Sequence, residues 1–500
     1  MTKKDIRLQY SGVLLFIAKM LTVVTGLYFQ RMIASVTLPE HRGEYDMWFN
    51  VNDLLAYFTL MAGVLPFWTM RFAARGKEGV IKTGVIANLA ISIIATLIYL
   101  PLVPIITSLL GIEANYFSIY FVVSIQIVEL YLMSMLEACL QARVPHTVGY
   151  GLIVQQVSRV ILGYVFIIQL QQRVLGAVIA TIIAFLIQAV FYFKLIAEEL
   201  KGKVKWEYAK EWLKGSVANI YNVAGNQIAA YIFIMLFTYA EGARGRYGTA
   251  WQIANVITFA SFLAFALYPK LIAEKKSEDI TTSLKLVLMF AIPMTVGAIA
   301  LSDSFMILIT EDIAFKDSAP VLAVLAVDAF VIIVSGFYSS VLFGLEKVDE
   351  TSKISFKKLA QSRLFIAFSL PYLHSAITIP TTFYVLANYG QNIPSQAAFY
   401  VSIINLSAHI AMFLILYFIV RKMTEIEIPW SNIAKYALAS AVMATFLSVI
   451  PHPSRASLIL GVTAVASLIY LALLLGIDKE ARMLSLDILK EAKGRIKRKT

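Results

Sequence analysis

The sequence predicts an all-α polytopic membrane protein with about fourteen transmembrane helices, and three observations carry that reading. Hydrophobic residues make up 59% of the 500 residues and charged residues only 15%, against about 25% charged in an ordinary soluble domain. Apolar stretches of the length needed to cross a hydrocarbon core, about 20 residues, recur along the whole chain. Lys and Arg fall in alternate loops: roughly 34 of the 43 lie on one side, which keeps a single phase from end to end.

Spans are expected near 10–36, 46–70, 83–109, 116–140, 147–170, 174–196, 213–239, 248–272, 283–309, 319–344, 359–387, 395–420, 431–450 and 456–476. The first is preceded by Lys3, Lys4 and Arg7. It is too long for the apolar core of a cleaved signal and lacks a small-residue cleavage site, so it reads as a retained helix. Prolines 66, 101, 104, 269, 293, 371 and 380 fall within spans, where each removes a backbone donor. The pair Pro371 and Pro380 in one helix suits a hinge. Basic residues mark the cytoplasmic side, which places both termini there, in the cell membrane. The net charge of +12 follows this topology, so nucleic acid is not an expected partner; the basic tail Lys490–Lys499 suits anionic lipid headgroups. Cys139 is the single cysteine, which excludes an intrachain disulfide and a cysteine metal cluster.

The chain also repeats itself. Arg42-Gly43-Glu44-Tyr45 follows the first span and Arg244-Gly245-Arg246-Tyr247 follows the seventh. At the same offset Asn50 corresponds to Gln252 and Asp53 to Asn255. Two six-helix units in the same orientation make a parallel repeat. The expected organisation is an N-lobe over 1–205 (helices 1–6), a C-lobe over 206–425 (helices 7–12), and an extra helix pair 13–14 with a basic tail over 426–500.

Ionisable and amide side chains inside spans cost about 3 kcal/mol for a charge at mid-membrane, so each needs a reason. Lys19 stands deep in the first span and Arg31 in its outer third. The fourth span carries Gln126, Glu129, Met133 and Glu137 on one face, and the fifth carries Gln155, Gln156 and Arg159. Glu129 and Arg159 are expected as neighbours, forming either a buried ion pair or part of a substrate or ion site. The seventh span presents Ser216, Asn219, Asn222 and Asn226 on one face, and the eighth adds Gln252 and Asn255; these amides suit a polar cavity lining. Asp328, His374 and His409 read as single packed polar groups. Neither a nucleotide-binding phosphate loop nor a zinc-protease motif occurs in the sequence, and no cofactor or metal site is expected.

The opening Ser11-Gly12, the basic Lys19 and Arg31, the loop Leu38-Pro39-Glu40-His41-Arg42-Gly43-Glu44-Tyr45 and the helix ending Arg71-Phe72-Ala73-Ala74 resemble the multidrug/oligosaccharidyl-lipid/polysaccharide (MOP) exporter superfamily. Within it the chain is similar to the oligosaccharide flippases of the polysaccharide transporter family. The resemblance implies an alternating-access transporter, not an enzyme, that moves a polyisoprenyl phosphate- or pyrophosphate-linked oligosaccharide, with membrane lipids and glycan-assembly enzymes as partners and a monomeric state. It implies that Lys19 and Arg31 meet the anionic headgroup, since a phosphate in a low-dielectric cavity needs a cation. The chain departs from lipid-precursor flippases in carrying Asn50 and Asp53 in place of a basic residue in the second helix. Two alternatives stay open. A cation-coupled multidrug antiporter of the same superfamily would use Asp53, Glu129 and Glu137. An integral-membrane glycosyl- or acyltransferase would need an acid, base or His at a membrane surface.

Overall fold

A computed structural model describes residues 21–38, 42–74, 76–144, 146–264, 277–345, 362–389, 393–424 and 426–483. Lys19, Ser11-Gly12, Pro269 and the tail beyond 483 lie outside them. Among the described residues there are helices and connecting turns but no strand, as expected for backbone that must satisfy its own hydrogen bonds in hydrocarbon. Eleven helices among them are long and apolar enough to cross a membrane.

The helices are α1 (21–37), α2 (Arg42–Phe58), α3 (Val64–Ala74), α4 (Val80–Leu109), α5 (Phe117–Val122), α6 (Ser124–Arg143), α7 (His146–Gly163), α8 (Arg173–Ile196), α9 (Trp206–Gly215), α10 (Val217–Ala229), α11 (Tyr231–Tyr239) and α12 (Ala243–Thr258). There follow α13 (Ser277–Ala300), α14 (Ser302–Thr310), α15 (Ala319–Leu345), α16 (Arg363–Tyr389), α17 (Pro394–Arg421), α18 (Trp430–Val449) and α19 (Ala456–Ile477). Within the described residues, the spans read from sequence fall on these elements; residues 10–20 of the first, 265–272 of the eighth and 359–361 of the eleventh lie outside them. Four are divided, into α2/α3, α5/α6, α10/α11 and α13/α14, because hydropathy reports burial and is blind to a local turn. At the first division the Ala62 amide donates to Thr59 O at 2.9 Å and the Val64 amide to Met61 O at 3.1 Å, closing a turn between two half-length helices. Conversely, Pro371 and Pro380 both lie within the single helix α16.

The described residues group into two compact units. One lies within Met1–Gly248, Ile309–Glu311 and Lys347–Ile404, and the other within Thr249–Leu308, Asp312–Glu346 and Asn405–Thr500. In the first unit, α3, α4, α6, α8 and α9 enclose a core that includes Leu65, Phe72, Met135, Cys139, Tyr192 and Trp212. Its loops alternate between two ends. At one end Glu44, before the second span, takes bonds from Tyr116 between the third and fourth spans and from Arg173 between the fifth and sixth. At the other end the Lys205 amide donates to Thr83 Oγ1 at 2.8 Å, and Arg143 pairs with Glu199 at 3.0 Å. In the second unit α13 packs on α15 and α18, and α18 on α19. There Asp303 meets Lys316 and His452, while Lys285 meets Glu480. Odd-numbered loops thus meet one another and even-numbered loops do likewise within each unit, which is the phase the basic residues predict.

Candidate transport site

The two copies of the repeated motif face each other. Tyr45, at the start of α2, and Tyr247, at the start of α12, are each 1% exposed. The buried Asp46 carboxylate accepts the Gly242 amide at 2.5 Å and the Gly245 amide at 2.7 Å. These amides open α12 and have no partner within the helix, so Asp46 caps that helix from another one and sits at its positive dipole end. Gly242 has φ 80°, and a Cβ on Gly245 would lie 2.5 Å from Asp46 Oδ1. Glycine is therefore required at both positions, for the turn and for the approach.

In the same first turn of α12, Arg244 reaches Asp53, about two turns beyond Asp46 on α2, through two bonds, Nε to Oδ2 at 2.6 Å and Nη2 to Oδ1 at 2.7 Å. Its guanidinium also lies 5.1 Å from the ring centroid of Phe49 and 4.9 Å from that of Phe233. A planar fork on a carboxylate, stacked on aromatic faces, is a geometry that Arg alone supplies. Nearby, Arg31 pairs with Glu311, and Arg173 pairs with Glu44 at 2.5 Å. Glu311 and Arg173 both hold positive φ, 55° and 45°, a conformation that costs a side-chain-bearing residue about 1 kcal/mol or more.

Along α1, below Arg31, the Trp48 indole N–H donates to Gln30 at 3.0 Å and Thr25 Oγ1 donates to Gln156 at 2.9 Å. Tyr120 donates to Asn50 Oδ1 at 2.9 Å, and Asn50 is fully buried. The expected pair of Glu129 and Arg159 does not form. Both Glu129 oxygens are buried without a hydrogen-bond partner, and the Arg159 guanidinium lies 4.0 Å from the Phe29 ring centroid on α1. The reason is packing: α7 runs chiefly against α8, with little contact to α6, so the two residues that share a depth do not share a seam. Glu137 accepts weakly from Gln188, at 3.5 Å.

On α10, Tyr221 stacks on Tyr372 of α16 at 4.5 Å and 22°, and Gly225 abuts the same ring. Asn219, Asn222 and Asn226 occupy the opposite face; Asn226 is exposed and donates to Asn222 O at 3.0 Å. Gln252 and Asn255 lie in the second unit, where Thr258 donates to Asn255 Oδ1 at 3.1 Å. The second unit also joins residues that read singly in the sequence. Asp328, wholly buried on α15, meets His409 Nδ1 at 2.6 Å and accepts from Asn405 Nδ2 at 3.0 Å, both on α17. The Asn405/His409 spacing of one turn was the available signal; the match to Asp328 had none. Among the described residues no cluster of His, Cys, Asp or Glu has the composition of a metal site.

No protein-family model matches the chain, and no curated protein matches it. Solved structures do. The lipid II flippase MurJ in an inward closed conformation matches with a TM-score of 0.65 at 18% identity, covering 93% of this chain and 98% of that one. An inward-facing MATE multidrug resistance transporter of the MOP superfamily matches with a TM-score of 0.63 at 14% identity, covering 82% and 98%. The fold is that of the MOP superfamily. A MOP transporter from Pyrococcus furiosus, described as having a binding pocket of reversed polarity, matches with a TM-score of 0.56 at 14% identity, covering 84% and 96%. With eleven helices long and apolar enough to cross a membrane among the described residues, this fold makes the chain a multi-pass membrane protein.

Proposed function

We propose that the chain moves a lipid-linked oligosaccharide, carried on a polyisoprenyl phosphate or pyrophosphate, across the cell membrane by alternating access. The halves 1–205 and 206–425 would be the moving parts, with both termini in the cytoplasm. The observation that carries this reading over a drug antiporter is the extra helix pair. The likeness to the MurJ flippase leaves fewer residues uncovered than Trp430–Ile477 contains, whereas the likeness to the MATE transporter leaves more. That pair is built into the protein: Tyr470 donates to Met289 O on α13 at 2.6 Å, and Asn432 donates to Asp478 at 3.0 Å.

The carboxylates support the same reading. Asp53, a candidate for binding a cationic drug, is neutralised by Arg244, and Glu129 is buried. The asparagine face of α10, with Asn226 exposed and Asn219 and Asn222 half-buried, is suited to hydroxyl-rich cargo, because amides both donate to and accept from sugar hydroxyls. Lys19 and Arg31 are the proposed contacts for the phosphate, Arg31 once released from Glu311. Asp46, Asp53, Arg244 and the paired Arg31 would form the seal on the side away from the cytoplasm.

The test is transfer of a fluorescent polyprenyl-phosphate-linked sugar in proteoliposomes, with Lys19→Ala and Lys19→Glu beside the parent. Transfer by the parent and its loss in both folded variants is the expected result. Exchange of cationic dyes for protons or sodium without sugar transfer would replace this reading with the antiporter, and Asp53 and Glu129 would then be the residues to vary.

A further inference from the structure

Helix α9, between the sixth and seventh spans, is 10 residues long, about 15 Å and too short to cross a bilayer. Its residues fall into four rows when each step turns by about 100°. The first row faces the protein: Trp212 and Ala209 are buried, and Tyr208 stacks on Trp212 at 6.0 Å. Beyond its C-terminal end, Trp68 holds Ser216 at 2.7 Å. The second row, Leu213 and Trp206, is apolar and open, 42% and 53% exposed. The third, Lys210 and Lys214, is exposed and makes no ion pair among the described residues. The fourth, Glu207 and Glu211, completes the turn, also exposed. Lys203 and Lys205, just before the helix, are exposed as well.

An open Trp and Leu beside a row of lysines, with the acidic row beyond, is an ordered gradient from apolar to cationic to anionic across one surface. Water alone gives no reason for that order. A leaflet supplies one, because acyl chains, phosphates and water follow each other in the same sequence over about 10 Å. We propose that α9 is an interfacial helix that binds anionic phospholipid. Trp206 and Leu213 enter the acyl boundary, Lys210 and Lys214 hold headgroup phosphates, and Glu207 and Glu211 face the water. The row of carboxylates sets the orientation, since it would be repelled by the same headgroups that attract the lysines. This holds whatever cargo the protein carries.

The test uses the full chain in nanodiscs of phosphatidylcholine, with and without phosphatidylglycerol, each lipid in turn carrying brominated acyl chains that quench nearby indoles. Subtracting Trp206→Phe isolates one of six tryptophans. The expected result is quenching of Trp206 several-fold stronger by brominated phosphatidylglycerol than by brominated phosphatidylcholine at equal mole fraction. In Lys210→Gln/Lys214→Gln that preference disappears while quenching by phosphatidylcholine remains. Thermal unfolding in detergent should be unchanged in both variants, because all three side chains are exposed. A Trp206 unquenched by either lipid, or a preference that survives loss of both lysines, would overturn the proposal.

Discussion

Arg244 and Asp53 show how a residue reads differently alone and in place. Read alone, Arg244 is a loop residue of the repeated motif and Asp53 a charge in a span; together they are a bidentate pair whose side chains are 8% and 14% exposed. Breaking such a pair by removing one partner strands the other charge, at a cost of about 3–5 kcal/mol, while removing both is far milder. Arg244→Ala is therefore expected to lower thermal stability more than the double variant Arg244→Ala/Asp53→Ala does. A double-mutant cycle read by thermal unfolding in detergent measures the coupling, and strictly additive losses would show that the pair contributes nothing. Glu129 is the contrasting residue, with neither oxygen satisfied. Its depth and helix face are legible in the sequence, but its lack of a partner is not.

At the scale of elements, the end of the extra pair is governed by one carboxylate outside the spans. Asp478 follows α19, accepts the Glu480 and Ala481 amides at 2.9 and 3.3 Å, and takes Asn432 at 3.0 Å with Lys435 Nζ at 3.7 Å. Burial pushes its pKa up, but these bonds and the Lys435 charge together outweigh burial and hold it below the ordinary carboxylate value. A carboxyl depressed in the folded state stabilises fully above its unfolded pKa, about 4, and the contribution is lost as pH falls through the lower folded value. Asp478→Asn should therefore flatten the acid side of a melting-temperature profile, where pH falls below the unfolded carboxyl value of about 4. An unchanged slope in the variant would assign the acid sensitivity elsewhere. The sequence shows α18 and α19 as an extra hairpin; it does not show that Asn432, at the start of one, closes on the residue just after the other.

For the whole molecule, the decisive feature is that the two repeat motifs meet. If Asp46 on Gly245 is part of a seal that closes in each cycle, preventing its closure must slow transport. A Cβ on Gly245 would lie 2.5 Å from Asp46 Oδ1 and 2.7 Å from Tyr45 Cδ1, whereas one on Gly43 would meet nothing within 4 Å. Gly245→Ala is therefore expected to lower transport several-fold in proteoliposomes, with Gly43→Ala transporting as the parent does. Transport by Gly245→Ala equal to the parent's would mean that this end need not close.

The sequence by itself determined what the membrane enforces locally: an all-helical fold, the places of the eleven apolar helices among the described residues within a few residues, and the loop alternation. Those properties depend on transfer of short segments from water to hydrocarbon, and each segment carries its own composition. Only the tertiary structure decided the pairings: Asp53 with Arg244, Asp46 with the α12 amides, Asp328 with His409 and Asn405, and Glu129 with none. Such contacts depend on how far each helix is rotated about its axis and which neighbour it lies against. The hydropathy of a span constrains its rotation weakly, because lipid and protein interior are nearly equally apolar. Partners nearly 200 residues apart leave no local trace, so adjacency in the chain misplaced Arg159 beside Glu129, whereas packing placed it over Phe29.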